Sequence, residues 1–143
     1  MRLNSIIANR HIFDGQMNGK PLQLQLAFDR GRAVRLKVAS DGERMIVDDG
    51  PLDAPCNMEE CGQVDIADVT EALFPTLRDV EVTGLEALAW NGCSVGVKLT
   101  LAGRDSFHFW VDGDELHWGD GAALLGHEWL DSIAPKPSER IAL

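Results

Sequence analysis

The 143-residue chain is 45% apolar and 25% charged, a balance that fits one globular core and excludes a disordered chain. Its net charge of −10 argues against DNA or RNA as a ligand, because nucleic-acid binding relies on Lys and Arg to neutralise phosphates. No apolar run approaches the ~20 residues of a membrane span, and the opening MRLNSIIANRHIFDG holds only the short run Ile6-Ile7-Ala8, so a cytoplasmic protein is expected.

The charge is unevenly placed. Residues 1–44 hold eight Lys/Arg against four Asp/Glu, residues 45–131 hold three against eighteen, and residues 132–143 hold two against one. An acidic body of this kind suits a basic protein partner, since complementary potential speeds encounter and rejects wrong partners. The plainer reading is that acidity keeps the protein soluble. Cys56, Cys61 and Cys93 are an odd number without a secretion signal, so they are expected to be reduced rather than to form a disulfide framework.

In chain order, the first regular signal is a set of three alternating runs: LQLQLAF (22–28), RAVRLKVA (32–39) and ERMIVDD (43–49). Period two means half-buried strands, and the short glycine-containing links DRGR and SDGE make them an antiparallel meander. Arg32, Arg35 and Lys37 lie in the second run and form the basic patch of the sequence. Residues 49–63, DGPLDAPCNMEECGQ, show no periodicity and read as a long loop. Next, DIADVTEALFP places Ile66, Val69 and Leu73 at helical spacing ahead of Pro75, which predicts a short helix over 66–74.

A second strand-rich region follows, with RDVEV (78–82), LEALAW (85–90), VGVKLTL (95–101) and the hairpin FHFWVDGDELHW (107–118). Gly92, Gly96 and Gly103 mark turns or a bulge. In GDGAALLGHEWLDSIA, Leu124, Leu125, Trp129 and Ile133 share one stripe and Asp120 can cap the start, which predicts a C-terminal helix lying on the sheet. The last residues, 136–143, read as a mobile tail. The expected fold is a single α+β domain over 1–134, with about six or seven antiparallel strands, a short middle helix and a C-terminal helix packed on one face.

The 107–118 hairpin carries the most chemistry. Taking Asp112-Gly113 as its two-residue turn places His108 opposite His117, whereas a slip to Gly113-Asp114 would place His117 opposite Trp110; either turn leaves His108, Trp110, Glu115 and His117 on one face. The plainest reading of that face is the solvent side of a hairpin with a partly covered tryptophan, and two functional readings stand beside it. An exposed Trp110 beside His108 and His117, rimmed by Asp112, Asp114, Glu115 and Asp120, has the composition of a protein-binding patch, because aromatic anchors dominate interface energetics. Alternatively, His108, His117 and Glu115 form a two-histidine, one-carboxylate metal set. HExxH and paired CxxC patterns are absent, and CNMEEC has two thiols without the further cysteine that the plant-type iron–sulfur spacing needs. GxSxG, GxGxxG and the P-loop pattern are absent as well, so no enzyme class is supported and no cofactor is implied.

These observations lead to an acidic interaction module that binds and neutralises or chaperones a basic protein, in the manner of an immunity protein or a secretion chaperone. Trp110 would be its anchor, with Asp112, Asp114, Glu115, His108, His117, Asp120, Glu59 and Glu60 around it. A small metal- or ligand-binding protein using His108, His117 and Glu115 is the alternative. A third reading is a homodimer joined along an exposed strand edge.

Overall fold

A computed structural model of the chain describes residues 1–129 and 133–143. The chain divides into two compact units, Arg2–Lys37 with Ile46–Val80, and Met1 with Val38–Met45 and Glu81–Leu143. Each is built on antiparallel pairing.

In the first unit the spine is β1 (Arg2–Phe13), a twelve-residue strand with no clean alternation. It is followed by β2 (Gln16–Met17), β3 (Gln23–Phe28), β4 (Ala33–Val38) and β5 (Met45–Asp48). The short β6 (Cys56–Asn57), β7 (Gln63–Asp68) and the one-turn helix α1 (Thr70–Leu73) complete it. β1 pairs with β3 on one side and β7 on the other, and β3 pairs with β4. Ile6 faces Leu26, Ala8 faces Leu24, and these leucines face Val34 and Leu36. All six are buried, so the period-two pattern puts them on one covered face. Thr70, also buried, ties α1 to β1: the Ile6 N–H donates to Thr70 Oγ1 at 2.8 Å, and that hydroxyl donates to Asp68 Oδ1 at 2.7 Å.

The basic patch of the sequence is consumed internally. Arg35 donates to both oxygens of Asp48 at 2.8 and 2.7 Å and to the Pro51 carbonyl at 2.8 Å. Asp53 lies 3.8 Å from Lys37 Nζ and 3.9 Å from Arg35 Nη1, and Asp49 lies 3.8 Å from Arg32. Asp53 is itself fixed by Gln23, whose amide donates to Oδ2 at 2.7 Å and accepts from the Asp53 N–H at 3.0 Å, and by Asn9, which donates to its carbonyl at 2.8 Å. Residues 48–53 are thus held over the polar face of β3 and β4 by a charged network. Replacing Arg35 with alanine is expected to cost about 1–2 kcal/mol, reduced from the buried-pair figure because Asp48 is 38% exposed. Amide hydrogen exchange over 48–53 should speed up, and an unchanged exchange pattern would contradict the assignment. The Arg35 guanidinium holds the Asp48 carboxyl below its ordinary range; a depressed carboxylate stabilises the fold above its unfolded pKa, and that contribution is lost as pH falls through the lowered folded value.

The second unit contains β8 (Val80–Trp90) from Glu81 onward, β9 (Cys93–Leu101), β10 (Phe107–Asp112), β11 (Glu115–Asp120), α2 (Gly121–Gly126) and β12 (Lys136–Arg140). Its strands follow the order β11-β10-β9-β8, with β12 also paired to β8. Asp120 caps α2 by accepting from the Ala123 N–H at 2.8 Å. Leu88, Trp110 and Leu124 form a buried cluster against which Trp129 packs.

The expected α+β architecture of six or seven strands with helices packed on a face is therefore corrected. Among the described residues there are twelve strands, two short α-helices and three 3₁₀ turns; strand makes up 54% and helix of both kinds 14%. The predicted helix over 66–74 shrinks to four residues because Val64 and Ile66 lie within β7, in the ladder with β1. RDVEV and LEALAW fuse into one strand with a register shift between Val82 and Gly84. The predicted C-terminal helix ends at Gly126, and Leu125 and Ile133 on its supposed apolar stripe are 72% and 58% exposed; residues 130–132 of that prediction lie outside the described residues. Within the supposed loop 49–63 there is a hairpin of β6 and β7 and a 3₁₀ turn, Glu59–Cys61. Lys136–Arg140, inside the segment expected as a mobile tail, is strand β12. No described helix is long and apolar enough to cross a membrane.

Candidate functional site

The β10–β11 hairpin turns at Gly113-Asp114, not at Asp112-Gly113: Asp112 pairs with Glu115, and both turn residues have positive φ, 61° and 70°. A primed turn requires that conformation at both central positions, and aspartate is among the few side chains that tolerate it. The Asp114 N–H also donates to the Gly42 carbonyl at 3.1 Å, which fixes the tip against the 39–44 turn of the same unit.

One residue of register changes the chemistry. His117 now faces Trp110, and His108 faces Gly119. The expected His108–His117 juxtaposition does not form, and among the described residues no group of three or more His, Cys, Asp or Glu could hold a metal ion.

Trp110 is also corrected from anchor to core. It is 2% exposed, with His117 stacked on it at 6.0 Å, Trp129 tilted at 6.3 Å and His127 edge-on at 5.6 Å between ring centroids. Glycines make the room. A Cβ on Gly96, opposite Trp110 in the β9–β10 ladder, would lie 2.2 Å from the Phe109 carbonyl oxygen, and one on Gly119 would lie 2.5 Å from Ala123 Cβ.

His108 is 6% exposed and its Nδ1 is buried without a hydrogen-bond partner among the described residues. It sits in a cross-strand row with Lys98 on β9 and Glu86 on β8. Burial pushes its imidazole pKa down, the Lys98 charge adds to that, and a backbone hydrogen bond with Gly119 and the Asp120 carboxylate oppose it. A buried base with a lowered pKa binds fewer protons than the unfolded chain, so stability is full above the unfolded value of about 6.5 and declines as pH falls below it. Thermal unfolding between pH 7.5 and 5 should show this decline, and His108→Gln should flatten it; a parallel pH profile in the variant would exclude His108 as the cause.

The remaining acidic candidates are all exposed. Asp112, Asp114, Glu115 and Asp120 are exposed on this unit. Glu59 and Glu60 are exposed in the 3₁₀ turn of the other unit. Asp112 is also structural: its Oδ2 lies 2.6 Å from His127 Nε2, and its carbonyl is 3.0 Å from His117 Nε2.

Beside the hairpin lies a cleft of about 580 Å³. Trp90, Trp129, Val95 and Val111 form its apolar wall, and Asp41, Glu43, Arg44, Cys93 and Asp112 are its polar lining. Both indoles are locked by their ring N–H groups: Trp90 donates to the Ile133 carbonyl at 2.5 Å and Trp129 to the Leu124 carbonyl at 2.8 Å. Their centroids are 6.5 Å apart. Arg44 Nε is paired with Asp41 at 2.6 Å, which offsets the cleft's own cation. Backbone N–H donation from Glu43, together with the Arg44 guanidinium, keeps the Asp41 carboxyl below its ordinary pKa.

Sequence reasoning missed Trp90, Glu43 and Arg44 as site residues. A signal existed for Trp90: it precedes Asn91-Gly92, whose positive φ values of 51° and 77° form the β8–β9 turn, and that tight hairpin delivers the indole to the sheet end. No family model matches the chain, and no curated protein or solved structure matches it.

Proposed function

We propose that the protein is an acidic interaction module that binds a basic protein partner and blocks or shelters that partner's cationic surface. The observation that carries this reading is the charge of the second unit, which has five Lys/Arg against twelve Asp/Glu and presents Asp112, Asp114 and Glu115 exposed at one hairpin end. Within the other unit, Arg35 and Lys37 are paired with Asp48 and Asp53. Binding would be electrostatic in its approach and steric in its effect, as for an immunity protein facing a basic toxin or a chaperone covering a basic export substrate.

Reversing Asp112 and Asp114 to lysine should slow association with such a partner by about tenfold at low salt and flatten its salt dependence. Stopped-flow association at several ionic strengths measures this. An unchanged rate and salt slope would exclude the hairpin tip as the contact.

A further inference from the structure

We infer that the Trp90–Trp129 cleft is a receptor for one arginine side chain of the basic partner. This rests on the interaction reading above and assigns it a specific pocket. Arginine suits the lining for three reasons. Its planar guanidinium stacks on indole faces, where the ring quadrupole attracts a cation. The two indoles are already fixed by hydrogen bonds to main-chain carbonyls, Trp90 on Ile133 and Trp129 on Leu124, so little rotamer entropy is lost on binding. Among the described residues the lining carries three carboxylates, Asp41, Glu43 and Asp112, against the single Arg44.

The carboxylates have separable parts. Asp41 already neutralises Arg44, with Oδ1 accepting from the Glu43 and Arg44 N–H groups and Oδ2 from Arg44 Nε. Asp112 uses one oxygen on His127 Nε2. Glu43 is exposed and forms no ion pair among the described residues. Glu43 and the second oxygen of Asp112 are therefore the acceptors left for an incoming guanidinium, while the half-buried Trp90 and Trp129 give its methylene stem apolar surface. The chemistry selects arginine over an acidic or neutral side chain by charge, and over lysine by planarity.

The test is a titration of the intact protein with N-acetyl-arginine methylamide, and in parallel with its neutral citrulline analogue, followed by the indole N–H resonances in a proton–nitrogen spectrum. The expected result is saturable shifts of the Trp90 and Trp129 signals with the arginine compound and at least about tenfold weaker response to citrulline. Glu43→Gln combined with Asp112→Asn, which keeps hydrogen-bonding capacity at both positions, should weaken the arginine response by about tenfold while leaving the unliganded spectrum folded. Equal responses to the two compounds, or none, would overturn the assignment. The probe is independent of any partner. A silent cleft in a protein that still captures a basic protein removes this inference and leaves the interaction reading standing; a responsive cleft in a protein that captures none supports the pocket and removes the interaction reading.

Discussion

Replacing Trp110 with alanine is expected to destabilise the second unit by about 3–5 kcal/mol, the range for deleting a large buried aromatic side chain. The indole is 2% exposed and closes the cluster of Leu88 and Leu124, with Trp129 packed against it, so its loss opens a cavity that these neighbours cannot refill. Trp110→Phe should be much milder, about 1–2 kcal/mol, because the indole Nε1 has no hydrogen-bond partner among the described residues to lose and only part of the ring volume disappears. Urea unfolding of both variants distinguishes core from surface: a change below about 0.5 kcal/mol in the alanine variant is the behaviour of a surface residue and would return Trp110 to the role the sequence suggested.

The second large effect is expected at Gly96. It is a buried mid-strand glycine, and its substitution by alanine would drive a methyl group to 2.2 Å from the Phe109 carbonyl oxygen and about as close as 3.0 Å to Trp110 Cα. Backbone cannot move aside as a flexible side chain can, so β9 and β10 must separate along their ladder. A cost of about 3 kcal/mol is expected, at the upper end for overpacking a filled core. Gly103→Asn is the control: that glycine has open space around it and a φ of +71°, which asparagine tolerates, so its effect should be a small fraction of the Gly96 one. Comparable losses at the two positions would contradict the close approach of β9 and β10.

Much of the sheet was legible. The meander of β3, β4 and β5 occurs where the alternation and glycine links put it, and the hairpin of β10 and β11 forms in the expected stretch but turns one residue later than Asp112-Gly113. β1 was not legible because its buried residues, Leu3, Ile6, Ala8 and Asn9, are spaced irregularly around a bulge between Leu3 and Ser5, and Asn9 is buried on the face opposite Ile6 and Ala8. The helices were overread for a related reason. Ile66, Val69 and Leu73 satisfy helical spacing, but a short segment of this composition also suits a strand, and pairing with the neighbouring β1 decides the outcome. In GAALLGHEWL, Gly126 stops the helix after six residues, although the apolar stripe continues beyond it.

The site was half legible. Asp112, Asp114 and Glu115 are exposed as expected, since charge at a tight turn has nowhere else to go. Trp110 and His108 were misplaced because one face of a hairpin reads as polar in the sequence while α2 and Trp129 cover it in the fold. The cleft could not be read from any single stretch. Its walls come from the 39–44 turn, the ends of β8 and β9, the end of β10 and Trp129, which are distant in sequence and meet only through pairing.

The most direct test of the central claim is quantitative affinity capture from the native host's lysate at low and at moderate salt, using the wild-type protein and the Asp112→Lys, Asp114→Lys variant as parallel baits. The expected result is a stoichiometric basic protein held by the wild type at low salt, released at moderate salt, and largely lost from the charge-reversed bait. Retention of the same proteins by both baits, or no stoichiometric basic protein on a folded wild-type bait, would contradict an acidic interaction module acting through this hairpin.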